Sequence, residues 1–342
     1  MLQRFSFNEK SNFFFFVVGI LAGCASEGLQ DRSISFKQPH YFPAIIFPEG
    51  NEPTLLRFEL GKKLFYEKQL SKNEDQSCAS CHRLPSAFTD GRTVSSFHEN
   101  EFARNAPTLA NLAWSPYFMS EGGVPTLELQ ALGPIHEKHE LSLSMEEVVG
   151  RLKSKSNYAE LSKAAYGREL DAFVITRALA CFERALVSGD SKFDRHYFLK
   201  SNDYSELEKQ GMDLFFSERT QCSSCHALPF FTDYKFYSLG FEDADIGLER
   251  RTYSEVDRGK FKTPTLRNIE LTAPYMHNGS MSSLEEVVSF YNTGGGTRVT
   301  KDLRVKPLNL SIEEEQALVA FLKTLTDWNF VQNEKFLVAD ED

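Results

Sequence analysis

The sequence lacks a basic surplus. Its 342 residues carry 38 Lys and Arg against 48 Asp and Glu, a formal net charge of −10. That balance counts against nucleic-acid binding, whose usual footprint is a basic stripe. The chain also lacks an apolar run of spanning length. The stretch from Phe13 to Ala22 falls short of the ~20 residues a bilayer requires, and no later segment approaches it. Alternating strand patterns are scarce, which leaves helices as the main element. Nor are there cysteines for a disulfide scaffold: of the six, at 24, 78, 81, 181, 222 and 225, four fall into two C-x-x-C-H boxes. With 41% hydrophobic and 25% charged residues the composition is that of a globular protein, and the length allows about two domains with their own cores.

At the amino terminus, Arg4 and Lys10 precede the apolar run, which ends in Leu21-Ala22-Gly23-Cys24. Charge, apolar core and small residues in this order suit a signal peptide, and the last four residues resemble the lipobox of bacterial lipoproteins. The resemblance implies a signal peptide over 1–23, lipid on Cys24, and a periplasmic body that meets the membrane only through that lipid. Residues 24–50 are polar and contain Pro39, Pro43 and Pro48, which predicts a tether.

The rest of the chain repeats itself. Gly61-Lys-Lys-Leu64-Phe65 leads to Cys78-Ala-Ser-Cys81-His82, Leu84-Pro85 and Phe88-Thr89-Asp90. Gly211-Met-Asp-Leu214-Phe215 leads to Cys222-Ser-Ser-Cys225-His226, Leu228-Pro229 and Phe231-Thr232-Asp233. A Pro-Thr-Leu-x-Asn element follows each, at Pro107–Asn111 and Pro264–Asn268. Such self-similarity marks a duplicated unit. Apolar spacing near 3.6 predicts helices over 54–66, 144–154, 158–165, 169–187, 204–217, 283–292 and 311–325. Ser144 with Glu147, and Ser311 with Glu314, are set to form capping boxes. The expected fold is all-α: two tandem domains over 51–202 and 203–335, with a tail over 336–342.

C-x-x-C-H is the attachment motif of c-type haem. Two thiols three positions apart reach the two vinyl groups, and the neighbouring His becomes the proximal iron ligand. Zinc is the rival for paired cysteines, but these pairs lie far apart and each has its own adjacent His. Cys78, Cys81 and His82 are therefore assigned to one haem, and Cys222, Cys225 and His226 to a second. The leftover Cys181, in an apolar helix, reads as a small buried hydrophobe.

Around these boxes, the segments Cys78–Gly91, Arg104–Thr108, Leu127–Ile135, Lys262–Asn268 and Leu271–Gly279, followed by Leu284–Tyr291, occur in order. Together they resemble the bacterial di-haem cytochrome c peroxidase/MauG family over roughly residues 50 to 335. The resemblance implies a cytochrome c-like fold for each domain, an amino-terminal haem that meets peroxide and a second haem that passes or stores oxidising equivalents. It places the peroxide-side pair on Glu140 and Gln130. A carboxyl in an enclosed pocket suits proton movement between peroxide oxygens, because burial raises its pKa. His98 is the matching position for a loop ligand that caps the first iron at rest. For the second iron the register points to Tyr291, with Met276 as the alternative thioether ligand. Asn105, with the backbone carbonyls of Thr272 and Pro274, matches an inter-haem calcium site, which needs waters to complete its shell. One departure stands out: Ser120 occupies the place where the family usually has an inter-haem Trp, so either Trp114, Tyr117 or another aromatic substitutes, or inter-haem transfer is slower.

The implied activity is peroxidase: hydrogen peroxide reduced with electrons from a small cytochrome c or copper protein. A MauG-like oxidase acting on a partner protein, a non-catalytic electron carrier and a structural haem lipoprotein are the other readings. The resemblance also admits a homodimer.

Overall fold

The computed structural model describes residues 31–93 and 104–338; the signal segment, Cys24 and His98 lie outside the described residues. The first half contains helices α1 (Leu55–Tyr66), α2 (Cys78–Cys81), α3 (Leu127–Gln130), α4 (Leu132–His136), α5 (Met145–Lys153), α6 (Ser156–Tyr166), α7 (Ala172–Arg184) and α8 (Lys192–Tyr197). Then come α9 (Glu206–Phe215), α10 (Glu249–Thr252), α11 (Leu284–Asn292), α12 (Ile312–Lys323) and α13 (Trp328–Val331). The expectation of an all-α fold needs one correction. Strand β1 (Phe236–Ser238) pairs antiparallel with β2 (Lys260–Lys262), Tyr237 opposite Phe261. Three-residue strands are too short to print a period-two pattern in the sequence.

The longer helices begin where local chemistry starts them. Thr54 Oγ1 accepts from Arg57 N at the head of α1, and Asp171 accepts from Val174 N at the head of α7. Both expected capping boxes form: Ser144 N donates to Glu147 Oε2 at 2.9 Å, and Ser311 N to Glu314 Oε2 at 2.9 Å.

Each half is organised by one close helix crossing. On α1, a Cβ at Gly61 would lie 1.9 Å from the Ala178 carbonyl oxygen of α7; on α9, a Cβ at Gly211 would lie 1.9 Å from the Ala317 oxygen of α12. Only glycine lets the backbones approach this far. Beside the crossings, Phe182 and Phe321 fill the two cores. The first core gathers Leu60, Leu64, Phe65, Phe88, Tyr158 and Phe182; the second gathers Phe193, Phe215, Phe231, Phe321 and Leu325.

The expected boundaries shift where the chain crosses over. Phe193, counted with the first domain, packs in the second core. Phe330, Val331 and Phe336, from the end of the chain, pack in the first, so the carboxy-terminal residues to Phe336 are a strap rather than the end of the second domain and a tail. Residues 31–50 are likewise not a free tether. Ile34 N donates to Pro53 O at 3.1 Å, the Tyr41 ring stacks on Phe198 at 4.0 Å, and Phe42 is only 4% exposed. The prolines suggested a linker; the aromatic residues among them supply the apolar area that docks it.

The halves are joined by a buried polar knot. Asn111 and Asn268, equivalent in the repeat, both adopt left-handed φ values, 61° and 62°. Asn111 exchanges two 2.9 Å bonds with the Ser188 backbone. Asn268 accepts from Asp327 N at 2.8 Å and donates to Ser188 Oγ at 3.0 Å. Asp327 Oδ2 in turn accepts from Gly189 N and Asp190 N at 2.8 and 2.9 Å.

The crossings generate a test. Inserting a methyl group against backbone costs about 1–3 kcal/mol, and more where helices must separate. Gly61→Ala and Gly211→Ala are each expected to lower the denaturant midpoint of the holoprotein; a wild-type midpoint for both would mean that the helices do not cross this closely.

Candidate functional site

Each C-x-x-C-H box is a single helical turn that ends on its histidine. Ser77 N donates to Ser80 Oγ at 3.0 Å, starting α2, so Cys78 and Cys81 share one side of the turn. His82 N closes it on Cys78 O at 2.9 Å. In the second box His226 N closes on Cys222 O at 3.0 Å. All four thiols are unbridged.

The histidine rings are aimed in the same way in both halves. His82 Nδ1 meets Phe88 O at 2.8 Å, and His226 Nδ1 meets Phe231 O at 3.0 Å. Phe88 and Phe231 reach those positions through left-handed backbone, φ 62° and 53°. Thr108 Oγ1 donates to Ala87 O at 2.5 Å and Thr265 Oγ1 to Phe230 O at 2.6 Å, which ties each proximal loop to its Pro-Thr-Leu element. Burial lowers both imidazole pKa values, against the opposing pull of these carbonyls. A neutral ring whose Nδ1–H is held by a carbonyl keeps its Nε2 lone pair for a metal. Two unbridged thiols beside such a ring fit a thioether-linked haem in each half.

The surroundings of the two boxes differ. Burial pushes the Cys78 thiol up, and the charges of Glu183 and, more weakly, Glu140 push it further. Glu140 is half-buried in the loop after α4, where its N–H donates to Glu137 O at 3.0 Å. Gln130 closes α3, one short helix earlier. On the other side, Tyr291 packs in the cluster that includes Cys222. Burial holds its phenol protonated, with Cys222 and Cys225 acting in the same sense. Met276 sits instead on a tight turn, φ 71°, under the Tyr275–Met281 bridge. Met119 repeats that geometry in the first half, φ 67° under the Phe118–Val124 bridge, which makes Met276 part of the duplicated framework.

Asn105 is brought to the 272–277 turn: its N–H donates to His277 O at 2.9 Å. Its Nδ2 donates to Arg92 O at 2.7 Å, which leaves Oδ1 as the amide's acceptor. Among the described residues no group of three or more His, Cys, Asp or Glu is set to hold a metal ion. Ser120 O accepts from Lys262 N at 3.0 Å. Trp114 and Tyr117 both reach across the halves. Trp114 stacks on Phe230 at 4.8 Å, and Tyr117 stacks on Phe236 at 5.3 Å.

Glu183 was not singled out in the sequence, because it follows the apolar Ala-Leu-Ala-Cys-Phe run of α7. The signal was available in the repeat, where the matching residue of α12 is Leu322.

This arrangement has relatives. The family signature described as di-haem cytochrome c peroxidase matches residues 56–203. The chain is 36% identical to the methylamine utilization protein MauG of Methylorubrum extorquens over 89% of its own length and 87% of that protein. It belongs to the di-haem cytochrome c peroxidase/MauG family. Members on both sides of the family are similar: cytochrome c551 peroxidase of Nitrosomonas europaea is 35% identical, over 78% of this chain and 79% of that one. A solved MauG-like protein associated with microbial copper homeostasis superposes with a TM-score of 0.81 at 32% identity, covering 89% of this chain and 99% of that one. Membership in the di-haem family implies two haems, and its peroxidases imply hydrogen peroxide as substrate and a cytochrome as electron donor. No helix among the described residues is long and apolar enough to cross a membrane.

If each box holds one haem, the boxes are separable. The double variant Cys222→Ala/Cys225→Ala is expected to halve the haem content per chain measured as pyridine haemochrome, while two haems per chain in that variant would break the assignment.

Proposed function

We propose that this chain is a di-haem peroxidase that reduces hydrogen peroxide at the His82 side, with electrons delivered through the His226 side by a small cytochrome c or copper protein. The observation that carries the reading is the asymmetry of the two boxes: carboxylates act on Cys78, and a buried phenol packs in the cluster that holds Cys222. Haem iron, when bound, supplies the redox centre at which peroxide is reduced.

The chain's own residues do the rest. The Phe88 carbonyl holds His82 in one tautomer and orientation. Glu140 takes the proton from one peroxide oxygen and returns it to the other, a role typically worth 10²–10⁴ in rate. Gln130 orients peroxide through its amide without adding charge. Tyr291 is the ligand assigned to the second iron, and oxygen ligation favours its oxidised state. Trp114 against Phe230 is the aromatic route across the halves that takes the place of the family's Trp at Ser120. Asn105, Thr272 O and Pro274 O are assigned to calcium, and the body is assigned to the periplasm on a lipid at Cys24. His98 is the assigned resting cap of the first iron.

A second reading, a MauG-like oxidase acting on a partner protein, is favoured by Tyr291 and by the 36% identity to MauG. The two separate on turnover. Steady oxidation of reduced cytochrome c on peroxide addition, lowered about a hundredfold or more in Glu140→Gln, is the peroxidase outcome. Wild-type protein that leaves the cytochrome reduced would exclude it.

The ligand assignment has its own measurement. Tyr291→Phe is expected to alter the EPR and optical spectrum of the second haem, while Met276→Leu leaves it unchanged. The reverse pattern transfers the ligand to Met276.

A further inference from the structure

Helices α7 and α12 are the same element in the two halves, matched at Ala178 and Ala317 and at Phe182 and Phe321. One residue further the halves diverge. α12 carries Leu322, part of the second core. α7 carries Glu183, 5% exposed, and its buried Oε2 has no hydrogen-bond partner among the described residues. A fold that accepts leucine here does not need the carboxyl, so its reason lies in what the first half does.

Among the described residues no ion pair engages Glu183. Arg184, next along the helix, gives both terminal nitrogens to Glu128 of α3 at 2.6 and 2.9 Å. Burial therefore pushes the Glu183 carboxyl up to about 8; Arg184 opposes this and Glu128 adds to it. Its charge reaches Cys78, on which it acts more strongly than that of Glu140. Among the cations of other elements packed on α7, Lys63 of α1 lies over the Tyr158 ring at 5.7 Å, and three more have partners elsewhere. Arg57 of α1 donates to Ala165 O and Glu52 O, Lys62 pairs with Glu59, and Arg151 of α5 donates to Ser71 O. Once the thiols of Cys78 and Cys81 are thioethers they carry no charge, so the changing charge beside Glu183 is that of the first haem.

We propose that Glu183 is the redox-linked proton site of the amino-terminal haem, protonated while the iron is reduced and ionised when the iron is oxidised. A carboxyl stripped of water responds to a nearby positive charge far more than an exposed one. When one electron leaves the haem for the second haem or an external mediator, the Glu183 O–H breaks and its proton passes to solvent, so the pocket's net charge is unchanged. Reduction reverses both. The inference rests on the first box holding haem and not on the peroxidase reading.

The test is spectroelectrochemical titration of the first haem in the intact two-haem protein over roughly pH 5 to 9, a range that brackets a raised carboxyl. In the wild type the midpoint potential falls as pH rises. Glu183→Gln flattens that dependence, and so does Glu183→Leu, the residue the second half already tolerates. Glu183→Asp retains it. Redox-difference infrared spectra should show a protonated-carboxyl band that is lost in Glu183→Gln. A pH slope unchanged in both Glu183→Gln and Glu183→Leu overturns the proposal, whatever the peroxide turnover; turnover lost with the slope intact counts against the peroxidase reading alone.

Discussion

The structure turns on a buried hydrogen-bonded junction. Ser188 and Asp327 stand in equivalent places just beyond the carboxy-terminal helices of the two halves, and each is held by its own repeat's asparagine, Asn111 or Asn268. The repeats then interlock, because Asn268 also reaches Ser188 Oγ and Asp327 also caps the 189–190 backbone. An unpaired buried polar group costs about 1–3 kcal/mol, so a network satisfied on both sides resists separation of either half. The asparagines close the Pro-Thr-Leu segments whose threonines tie down the histidine loops. A shift at the junction would therefore reach His82 and His226 together.

On this common frame the halves carry different chemistry. Ala110 in the first Pro-Thr-Leu element is Arg267 in the second, where it forms a fully buried pair with Asp194 at 2.8 Å. The second copy of the Phe-Thr-Asp turn holds Asp233 Oδ2 through the Tyr237 hydroxyl at 2.7 Å; in the first, buried Asp90 Oδ2 has no partner among the described residues. Glu183 against Leu322 follows the same division. At these two matched positions the first half keeps a carboxyl oxygen without a partner among the described residues, where the second has a bonded aspartate and a leucine. Duplication supplies the same histidine-holding geometry twice, and substitution at matched positions changes the surroundings of each box.

How much was legible depended on how local each signal was. The capping boxes at Ser144 and Ser311 were readable because donor and acceptor lie three residues apart. The haem boxes were readable because thiol spacing and the adjacent His are properties of one turn. The 31–50 segment misled, since three prolines spoke for a linker while Tyr41 and Phe42 found their partners in Phe198, Trp114 and Phe230, far along the chain. The domain boundary failed for the same reason: Phe193 and Phe336 look alike in sequence, and only packing assigns one to each core.

By itself the sequence determined the duplication, the two haem boxes, the helical character and the family, because these are written in spacings of a few residues or in ordered motifs. Tertiary structure decided which residues share a pocket. Whether Glu183 is a solvated surface charge or a buried acid depends on which helix faces meet. Those faces meet where Gly61 and Gly211 let the backbones touch and where the asparagine junction ties the halves together, and desolvation then changes what the same side chains can do.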